Sequence, residues 1–279
     1  MSDFVYLDHA AATAVDSNVL AAMQPYFGKQ FYNPSATYLP AQAVARDIQK
    51  ARAKVASLLG ARPSEVIFSA GGTEANNLAI HGVMQRYPKA NLIVSAIEHE
   101  SILKPAERYA HKLAPVQPDG RLDVQKLEEL IDDKTVQISI MYANNEIGTI
   151  EPIREVAQLV QTIRRQRLAK NNSVPLLLHT DACQAANYLD LHVSRLGVDM
   201  MTLNGGKIYG PKQSGALFVK AGLELQPHIT GGGQESGYRS GTENVPSIIG
   251  FAAALEIVQN SRNSELKRLS ALQKFGSKR

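Results

Sequence analysis

Short apolar runs that alternate with longer segments of helical period constrain the fold of this chain more than any other feature. The apolar runs include EVIFSA, NLIVSAI, VQISIMYA and PLLLHTDA, and segments such as TEANNLAIHGVMQRY and IREVAQLVQTIRRQRLA lie between them. Strands that alternate with helices are typical of βαβ units, in which parallel strands form a sheet and helices cover its two faces. We therefore predict an α/β fold with a mostly parallel central sheet.

Two longer helices are predicted outside this alternation. The segment PAQAVARDIQKARAKVASLLG spaces its apolar residues helically and stops at Gly60, which is predicted to be the C-terminal cap. The segment that begins SIIGFAAALEIVQ reads as one long helix that becomes polar towards its end. No internal repeat and no low-complexity tract interrupts the sequence.

The length and composition indicate a folded protein of ordinary type. A chain of 279 residues can hold one large domain, with or without a small one, and no run approaches the roughly 20 apolar residues that span a bilayer. The first residues, MSDFVYLDHAAATAVD, lack the basic and apolar regions of a secretory signal. We expect a soluble protein that acts in the cytoplasm and has no membrane partner.

Charge and cysteine content exclude other classes of function. The 30 basic residues against 26 acidic ones give a net charge of +4, and the basic residues are scattered, so no nucleic-acid partner is expected. Cys183 is the single cysteine of the sequence. It can form neither an intrachain disulfide nor a cysteine-based metal cluster, which agrees with a reducing compartment. No metal site is predicted.

The residues that follow the apolar runs are candidate ligand-binding residues, because ligands of open α/β sheets lie beyond the carboxyl ends of the strands. After EVIFS comes AGGTEANN, in which Gly72 and Thr73 open a helix. A helix N-terminus beside small residues presents backbone N–H groups and a positive dipole end, which suit a phosphate. An ordinary helix start, with Thr73 and Asn76 in a capping box, explains the same residues equally well.

Three further strand ends carry polar residues. His99 follows NLIVSAI and could stack on a planar ring or move a proton, or it could be a structural histidine. Asn145 follows VQISIMYA and could bind a ligand or cap a turn. PLLLH is followed by Asp181 and then by Gln184. An aspartate in such a place is costly to bury unless a positive group meets it.

Lys207 lies in TLNGGKIYGPKQSG, where the preceding glycines let the backbone approach a ligand closely. A phosphate, a flat ring, a cationic partner for Asp181 and a reactive lysine together fit pyridoxal 5'-phosphate. Lys207 would form a Schiff base with the aldehyde of this cofactor. Asp181 would keep the pyridine nitrogen protonated, so that the ring withdraws electrons.

Motifs along nearly the whole chain resemble one known family. YLDHAAAT, NPSATY, GGTEANNLAI, EHESI, NNEIGTI, HTDACQA, GGKIYGPKQSGALFV and GGGQESGYRSGTENV occur in the order and approximate spacing of the cysteine desulfurases. These are fold-type I, class-V aminotransferase-like enzymes that convert L-cysteine into L-alanine and supply sulfur for iron–sulfur clusters. The resemblance implies the large domain of a pyridoxal-phosphate-dependent transferase, with L-cysteine as substrate and a sulfur-acceptor or scaffold protein as partner.

The resemblance also implies a role for each matching residue around the cofactor ring. Lys207 is the lysine that bonds the cofactor, and Asp181 contacts the pyridine nitrogen. His99 stacks on the ring and serves in proton transfer. Asn145 and Gln184 lie near the ring hydroxyl.

The phosphate site is the part that departs from the family. The resemblance implies that Gly72 and Thr73 hold the phosphate, and that Thr242 reaches the phosphate of the neighbouring subunit of a homodimer. Family members usually have a serine and a histidine where this chain has Asn204 and Gly206. We therefore expect Asn204 to line the site and the phosphate to be held more weakly.

The resemblance implies a division of the chain into three parts. Residues 1–15 are an N-terminal segment that would pack on a small domain, residues 16–255 are the large cofactor-binding domain, and residues 256–279 begin a long connecting helix. The family's C-terminal small domain, which carries the sulfur-accepting cysteine and a substrate-binding arginine, is expected to be absent. Cys183 is interpreted as a packing residue and not as a replacement for that cysteine. Apolar surface is expected near both ends of the chain.

Two other functions fit the same motifs. The chain could catalyse a different β-elimination or amino-group transfer within the class-V family. It could also be a degenerate, non-catalytic protein that uses the fold to dimerise or to bind a partner. The altered NGGK segment and the expected absence of the small domain favour the second alternative. The presence of Lys207, Asp181, Gln184 and His99 together favours an enzyme.

Overall fold

A central sheet organises the computed structural model, which describes residues 5–276. Its strands are β1 (Val66–Ser69), β2 (Asn91–Ser95), β3 (His111–Ala114), β4 (Thr135–Ser139), β5 (Leu177–Asp181), β6 (Met200–Asn204) and β7 (Gly215–Val219). They pair in the order β1-β7-β6-β5-β4-β2-β3. Every pair is parallel except the two that β7 forms with β1 and β6. The prediction of a mostly parallel sheet is confirmed.

The strand directions bring most of the candidate residues to one edge. Because β7 is antiparallel to both neighbours, β1 runs in the same direction as β6 and the rest of the sheet. The carboxyl ends of β1, β2, β4, β5 and β6 therefore meet at the same edge. The loops that leave these ends carry the predicted site residues, and this edge is where ligands of open α/β sheets bind.

Helices cover both faces of the sheet. They are α1 (Ser17–Met23), α2 (Leu39–Leu59), α3 (Gly72–Arg86), α4 (Glu100–Ala106), α5 (Val124–Leu130), α6 (Ile153–Ala169), α7 (Val193–Leu196) and α8 (Val245–Gly276). The predicted end of α2 is confirmed, since Gly60 is the C-cap with φ of 64° and its N–H donates to Ala56 and Ser57. Such a left-handed conformation favours glycine. The long final helix is also confirmed as α8.

Two apolar cores lie on the two faces of the sheet. In β1, Val66 and Phe68 join the core formed with α1, α2, α6 and α8, whereas Ile67 joins the core formed with α3 and α4. In β2, Ile93 joins the first core, whereas its neighbours Leu92 and Val94 join the second. This period of two follows from the alternation of side chains along a strand, and burial on both faces explains why the strand sequences are almost continuously apolar.

The ends of the described chain expose apolar side chains, as the sequence led us to expect. Val5 is 71% exposed and Leu7 is 84% exposed in the N-terminal segment, and Leu272 near the end of α8 is 53% exposed. The division at residues 15 and 255 stays a prediction, and parts of its first and last segments lie outside the described residues. None of the described helices is both long and apolar enough to cross a membrane.

Candidate active site

Two adjoining cavities open at the carboxyl edge of the sheet. Their volumes are about 820 Å³ and about 260 Å³. The residues that line both are Ala11, Gly72, Thr73, Asn204 and Lys207. The smaller cavity is also lined by His99, Asn145, Asp181 and Gln184. Eight of the nine residues predicted to bind a cofactor thus surround one continuous space.

Lys207 projects its amine towards the N-terminal segment. The residue ends the short 3-10 turn Gly205–Lys207 that follows β6, and the Asn187 amide donates to its backbone carbonyl at 2.7 Å. The Nζ atom donates to the carbonyl oxygens of Ala10 at 2.7 Å and Ala11 at 2.8 Å. These two carbonyls hold the amine at the junction of the cavities, where it lines both of them.

Asp181 ends strand β5 with only 7% of its surface exposed. Its Oδ2 accepts from the Asn76 amide at 2.7 Å, and its Oδ1 accepts from the backbone N–H of Cys183 at 2.9 Å. Both donors are neutral groups. A cationic ring nitrogen in the smaller cavity would supply the positive partner that a buried carboxylate requires.

The start of α3 fits an anion at the larger cavity. Gly71 is the N-cap with φ of 106°, and no side chain caps this helix start. Thr73 lies inside the first turn, so the alternative of a capping box with Asn76 is wrong. The helix presents its N-terminal N–H groups and positive dipole end next to Gly72 and Thr73, which line the cavity. The 15-residue helix therefore offers a phosphate site.

The segment before Lys207 leaves space at that phosphate site. The Asn204 Oδ1 accepts from the Gly206 N–H at 3.1 Å, which fixes the amide at the end of β6. A Cβ atom on Gly206 would lie no nearer than 3.6 Å to any heavy atom outside its chain neighbours. The neighbouring Lys212 lines the larger cavity only. A small side chain at Gly206 would thus make ordinary van der Waals contacts with Asn204 and Lys212.

Hydrogen bonds from Ser101 fix the His99 side chain at the N-terminus of α4. The residue is the N-cap of α4, and its Nδ1 accepts from the backbone N–H of Ser101 at 3.0 Å. The Ser101 Oγ also lies 2.8 Å from Nδ1. Because Nδ1 accepts from a backbone donor, the neutral ring carries its proton at Nε2. His99 therefore offers Nε2–H to a group in the smaller cavity, which it lines.

Asn145 and Gln184 also line the smaller cavity. The side chain of Asn144 accepts from the N–H groups of Glu146 and Ile147, so Asn144 makes the turn and leaves Asn145 to line the cavity. The turn is thus made by Asn144, and the ligand-binding role of Asn145 stays a prediction. The Gln184 amide donates to the Ala10 carbonyl at 2.8 Å.

Thr242 is exposed and lines neither cavity of this single chain. Its contact with the phosphate of a neighbouring subunit stays a prediction. Four other site residues were not predicted: Asn76, Ser101, Ala10 and Ala11. Asn76 lies one turn after Thr73 and Ser101 two residues after His99, and those spacings were the signals available in the sequence.

Cys183 is half-buried, lines the smaller cavity and donates its backbone N–H to Asp181. Desolvation raises the pKa of its thiol well above the ordinary value, and the Asp181 carboxylate adds to this effect. A thiol is nucleophilic as the thiolate, so Cys183 is poorly reactive near neutral pH. We expect iodoacetamide at pH 7.5 to alkylate Cys183 at least about tenfold more slowly in the folded protein than in urea, measured by mass spectrometry. Equal rates would contradict the raised pKa of this thiol in the folded protein.

Glu98 is a buried carboxyl behind the site. Its Oε1 accepts from the Met141 N–H, and its Oε2 has no hydrogen-bond partner among the described residues. Burial raises its pKa well above 4.5, and Asp181 and Glu151 contribute in the same direction. The folded protein thus keeps a proton that the unfolded chain loses above about pH 4.5. The contribution of protonated Glu98 to stability is present below that pH and declines as the pH rises.

The Glu98→Gln substitution tests this titration. Glutamine keeps an acceptor for the Met141 N–H but carries no charge, so the variant should gain stability relative to the original protein as the pH rises from 5 to 8. The expected gain at pH 8 is about 1–3 kcal/mol in the free energy of unfolding, measured with urea. Glu100→Gln, at the exposed neighbouring carboxyl, should show no such trend. Parallel pH profiles for both variants and the original protein would contradict the assignment.

The sequence matches the class-V aminotransferase family over residues 5–274, and the chain belongs to that family. Among its relatives are cysteine desulfurases. One from Archaeoglobus fulgidus is 39% identical, with 96% of this chain and 69% of the relative covered. One from Dictyoglomus turgidum is 38% identical, with 97% of this chain and 68% of the relative covered.

Solved structures show the same relationship. A NifS-like protein superposes with a TM-score of 0.90 at 34% identity, covering 97% of this chain and 73% of the other. The protein SspA, solved in complex with cysteine, superposes with a TM-score of 0.83 at 37% identity, covering 91% of this chain and 72% of the other. The fold is that of the fold-type I pyridoxal-phosphate enzymes, as the resemblance implied.

Pyridoxal 5'-phosphate is the cofactor of this family, and the residues of this chain fit it. The uncapped start of α3 suits the phosphate, the Asp181 carboxylate suits the ring nitrogen, and the Lys207 amine lies between them. The predicted cofactor therefore agrees with the geometry of the site.

Proposed function

We propose that this chain carries the cofactor site of a pyridoxal-phosphate-dependent cysteine desulfurase, which converts L-cysteine into L-alanine and passes the sulfur to an acceptor thiol. The observation that carries this proposal is the junction of the two cavities, where the Lys207 amine lies between the Asp181 carboxylate and the uncapped start of α3. The names of the cysteine desulfurase relatives supply the reaction.

When bound, pyridoxal phosphate supplies an aldehyde for amines and a ring that withdraws electrons from the bonds at the amino-acid Cα. Lys207 is the amine of the site. Before it can bond the aldehyde, its Nζ has to lose a proton and leave the carbonyls of Ala10 and Ala11. When it is not bonded to the cofactor, the same Nζ would be able to accept a proton from the substrate Cα.

The other residues would orient the cofactor and balance the charges of its ring and phosphate. Asp181, fixed by the Asn76 amide and the Cys183 N–H, favours a protonated ring nitrogen. His99 provides a flat surface for the ring and an Nε2–H that can donate to the substrate sulfur or carboxylate. Gly72 and Thr73 direct backbone N–H groups at the phosphate, and Asn204 lines the same cavity. Asn145 and Gln184 offer amides to the ring hydroxyl.

The sulfur-transfer step needs a second thiol. An acceptor thiolate attacks the substrate sulfur, the C–S bond of cysteine breaks, and the bond electrons leave a carbanion at Cβ that takes a proton to become the methyl group of alanine. In sum, one thiol and one cysteine give one persulfide and one alanine. Cys183 is unsuited to this role because its thiol stays protonated and lies beneath the site. The acceptor thiol therefore comes from outside these 279 residues.

We further propose a homodimer in which Thr242 of each chain reaches the phosphate of its partner. The exposed position of Thr242, outside both cavities of its own chain, supports this arrangement. A sulfur-acceptor or scaffold protein is the second expected partner. The cytoplasm is the proposed location, since the lone cysteine suits a reducing compartment.

The direct test is alanine formation. The purified chain, loaded with pyridoxal phosphate, is incubated with L-cysteine and dithiothreitol as the acceptor. One thiol of dithiothreitol takes the sulfur, and its second thiol closes the ring and releases sulfide, so alanine and sulfide should appear in equal amounts. The Lys207→Ala variant should produce neither. Pyruvate, or alanine without sulfide, would indicate a different class-V reaction, and a lack of visible cofactor absorbance would indicate a non-catalytic protein.

A further inference from the structure

A buried amide and a hydroxyl connect the two groups that face the cofactor ring. Asn76, on α3, is 1% exposed and donates through Nδ2 to Asp181 Oδ2 at 2.7 Å and to Ser101 Oγ at 2.9 Å. Ser101, which is 8% exposed, contacts His99 Nδ1 through both its hydroxyl and its backbone N–H. The side chains of Asp181 and His99 are therefore linked by a continuous set of hydrogen bonds.

The direction of each hydrogen bond follows from the chemistry of the groups. Asp181 is an acceptor, so the Asn76 side chain must present its NH₂ group and not its carbonyl oxygen. The two hydrogens of that NH₂ group are used by Asp181 and Ser101. The Ser101 oxygen accepts from Asn76, and its own hydrogen points to His99 Nδ1, whose single lone pair it shares with the Ser101 backbone N–H.

Asn76 is not an ordinary core residue, because its arrangement leaves one buried polar atom without a hydrogen bond. Its Oδ1 is buried and has no hydrogen-bond partner among the described residues. Rotating the Asn76 amide by half a turn would exchange Oδ1 and Nδ2. It would place the Oδ1 lone pairs against the Asp181 carboxylate, and the two oxygens would repel each other. A buried amide with one unmet acceptor costs free energy, and an apolar residue of similar size would avoid that cost.

We propose that Asn76 and Ser101 are positioning residues that hold Asp181 and His99 as one unit, so that the carboxylate at the ring nitrogen and the imidazole on the ring face keep a fixed mutual geometry. This inference rests on the proposed roles of Asp181 and His99. Neither Asn76 nor Ser101 is expected to exchange a proton with the substrate. Their effect is transmitted through the two residues that they orient.

A double-mutant cycle on cofactor affinity tests the link. The Kd for pyridoxal phosphate is measured from visible absorbance for Asn76→Leu, Ser101→Ala and the double variant. We expect Asn76→Leu to weaken binding about tenfold and Ser101→Ala about threefold. The double variant should be no weaker than Asn76→Leu, because each change breaks the same connection. Independent effects, which multiply to about thirtyfold, would overturn the proposal. Ser101→Thr, which keeps the hydroxyl, should bind within about twofold of the original protein.

Histidine NMR of the cofactor-free protein provides a second readout. The ¹⁵N resonances of His99 are identified by their loss in His99→Gln. Asn76→Leu should shift these resonances although Asn76 does not touch the ring. The matched control is Ser194→Ala, because the Ser194 hydroxyl lies 3.0 Å from His192 Nδ1 with the same two-residue spacing. It should shift the His192 resonances and leave those of His99 in place.

The two readouts separate the failure of this inference from the failure of the proposed function. If His99 resonances are unchanged in Asn76→Leu, the link does not act on His99 and the proposal is wrong. If the original protein shows no visible cofactor absorbance, the proposed function fails, whereas the NMR comparison still decides the link. Asn76→Ala is the substitute if thermal unfolding shows that leucine is not accommodated.

Discussion

The Lys207→Ala variant should lose completely the shift to longer wavelength that the absorbance of pyridoxal phosphate undergoes when it bonds a lysine. This shift requires a covalent bond between the cofactor and an amine, and Lys207 is the lysine that lines both cavities. Pyridoxal phosphate should still bind the variant through the phosphate site, but far more weakly. The measurement is an absorption titration of the original and variant proteins with pyridoxal phosphate, followed by borohydride reduction and peptide mapping of the modified lysine.

Lys212 provides the matched control. It lies five residues further along and lines the larger cavity but not the smaller one. Lys212→Ala should therefore keep the visible absorbance while its affinity for the cofactor falls about tenfold, because a cation beside the phosphate is lost. If the absorbance persisted in Lys207→Ala and peptide mapping found the modified lysine at Lys212, the assignment of Lys207 as the reactive amine would be wrong.

Gly205→Ala should cause a large loss of stability. A Cβ atom on Gly205 would lie 2.0 Å from the Ser214 Oγ and 3.0 Å from the Pro211 carbonyl oxygen, so the backbone that carries Lys207 would have to move. We expect a loss of about 3 kcal/mol in the free energy of unfolding, measured with urea. Cofactor absorbance should fall with it, since the same movement displaces the amine.

Gly206→Ala is the internal control for this prediction. The added Cβ atom would lie 3.6 Å from its nearest heavy atom, Asn204 Oδ1, which is an ordinary van der Waals contact, so the change in stability should stay below about 1 kcal/mol. Removing the Ser214 hydroxyl in Gly205→Ala/Ser214→Ala should restore part of the loss, although the contact with Pro211 remains. If the two glycine variants were equally stable, the crowding at Gly205 would be refuted.

The sequence was sufficient to predict the architecture and most of the site for a simple physical reason. Strands buried on both faces are continuously apolar, so their ends are visible in the sequence. In a parallel sheet those ends share one edge. Asp181 and His99 could therefore be assigned to a common site without knowledge of their distance.

Other contacts of the site could not be predicted from the sequence, because they join residues that are far apart in the chain. Asn76 meets Asp181 across 105 positions, and the Lys207 amine meets the Ala10 carbonyl across 197. The local sequence pattern around each of these residues does not predict such a contact. The backbone carbonyls of Ala10 and Ala11 are especially hard to predict, because any residue carries a carbonyl and only the path of the chain brings these two to a lysine.

The pairing of β1 with β7 has a consequence for how the protein is made. Val66 pairs with Phe218, so about 150 residues must follow β1 out of the ribosome before its partner exists. At roughly 5–20 residues per second, β1 waits on the order of ten seconds or more with its apolar side chains uncovered. During that interval the N-terminal half is open to aggregation and is a substrate for chaperones. Completion of the sheet edge, and with it the start of α3, is therefore a late event in biogenesis.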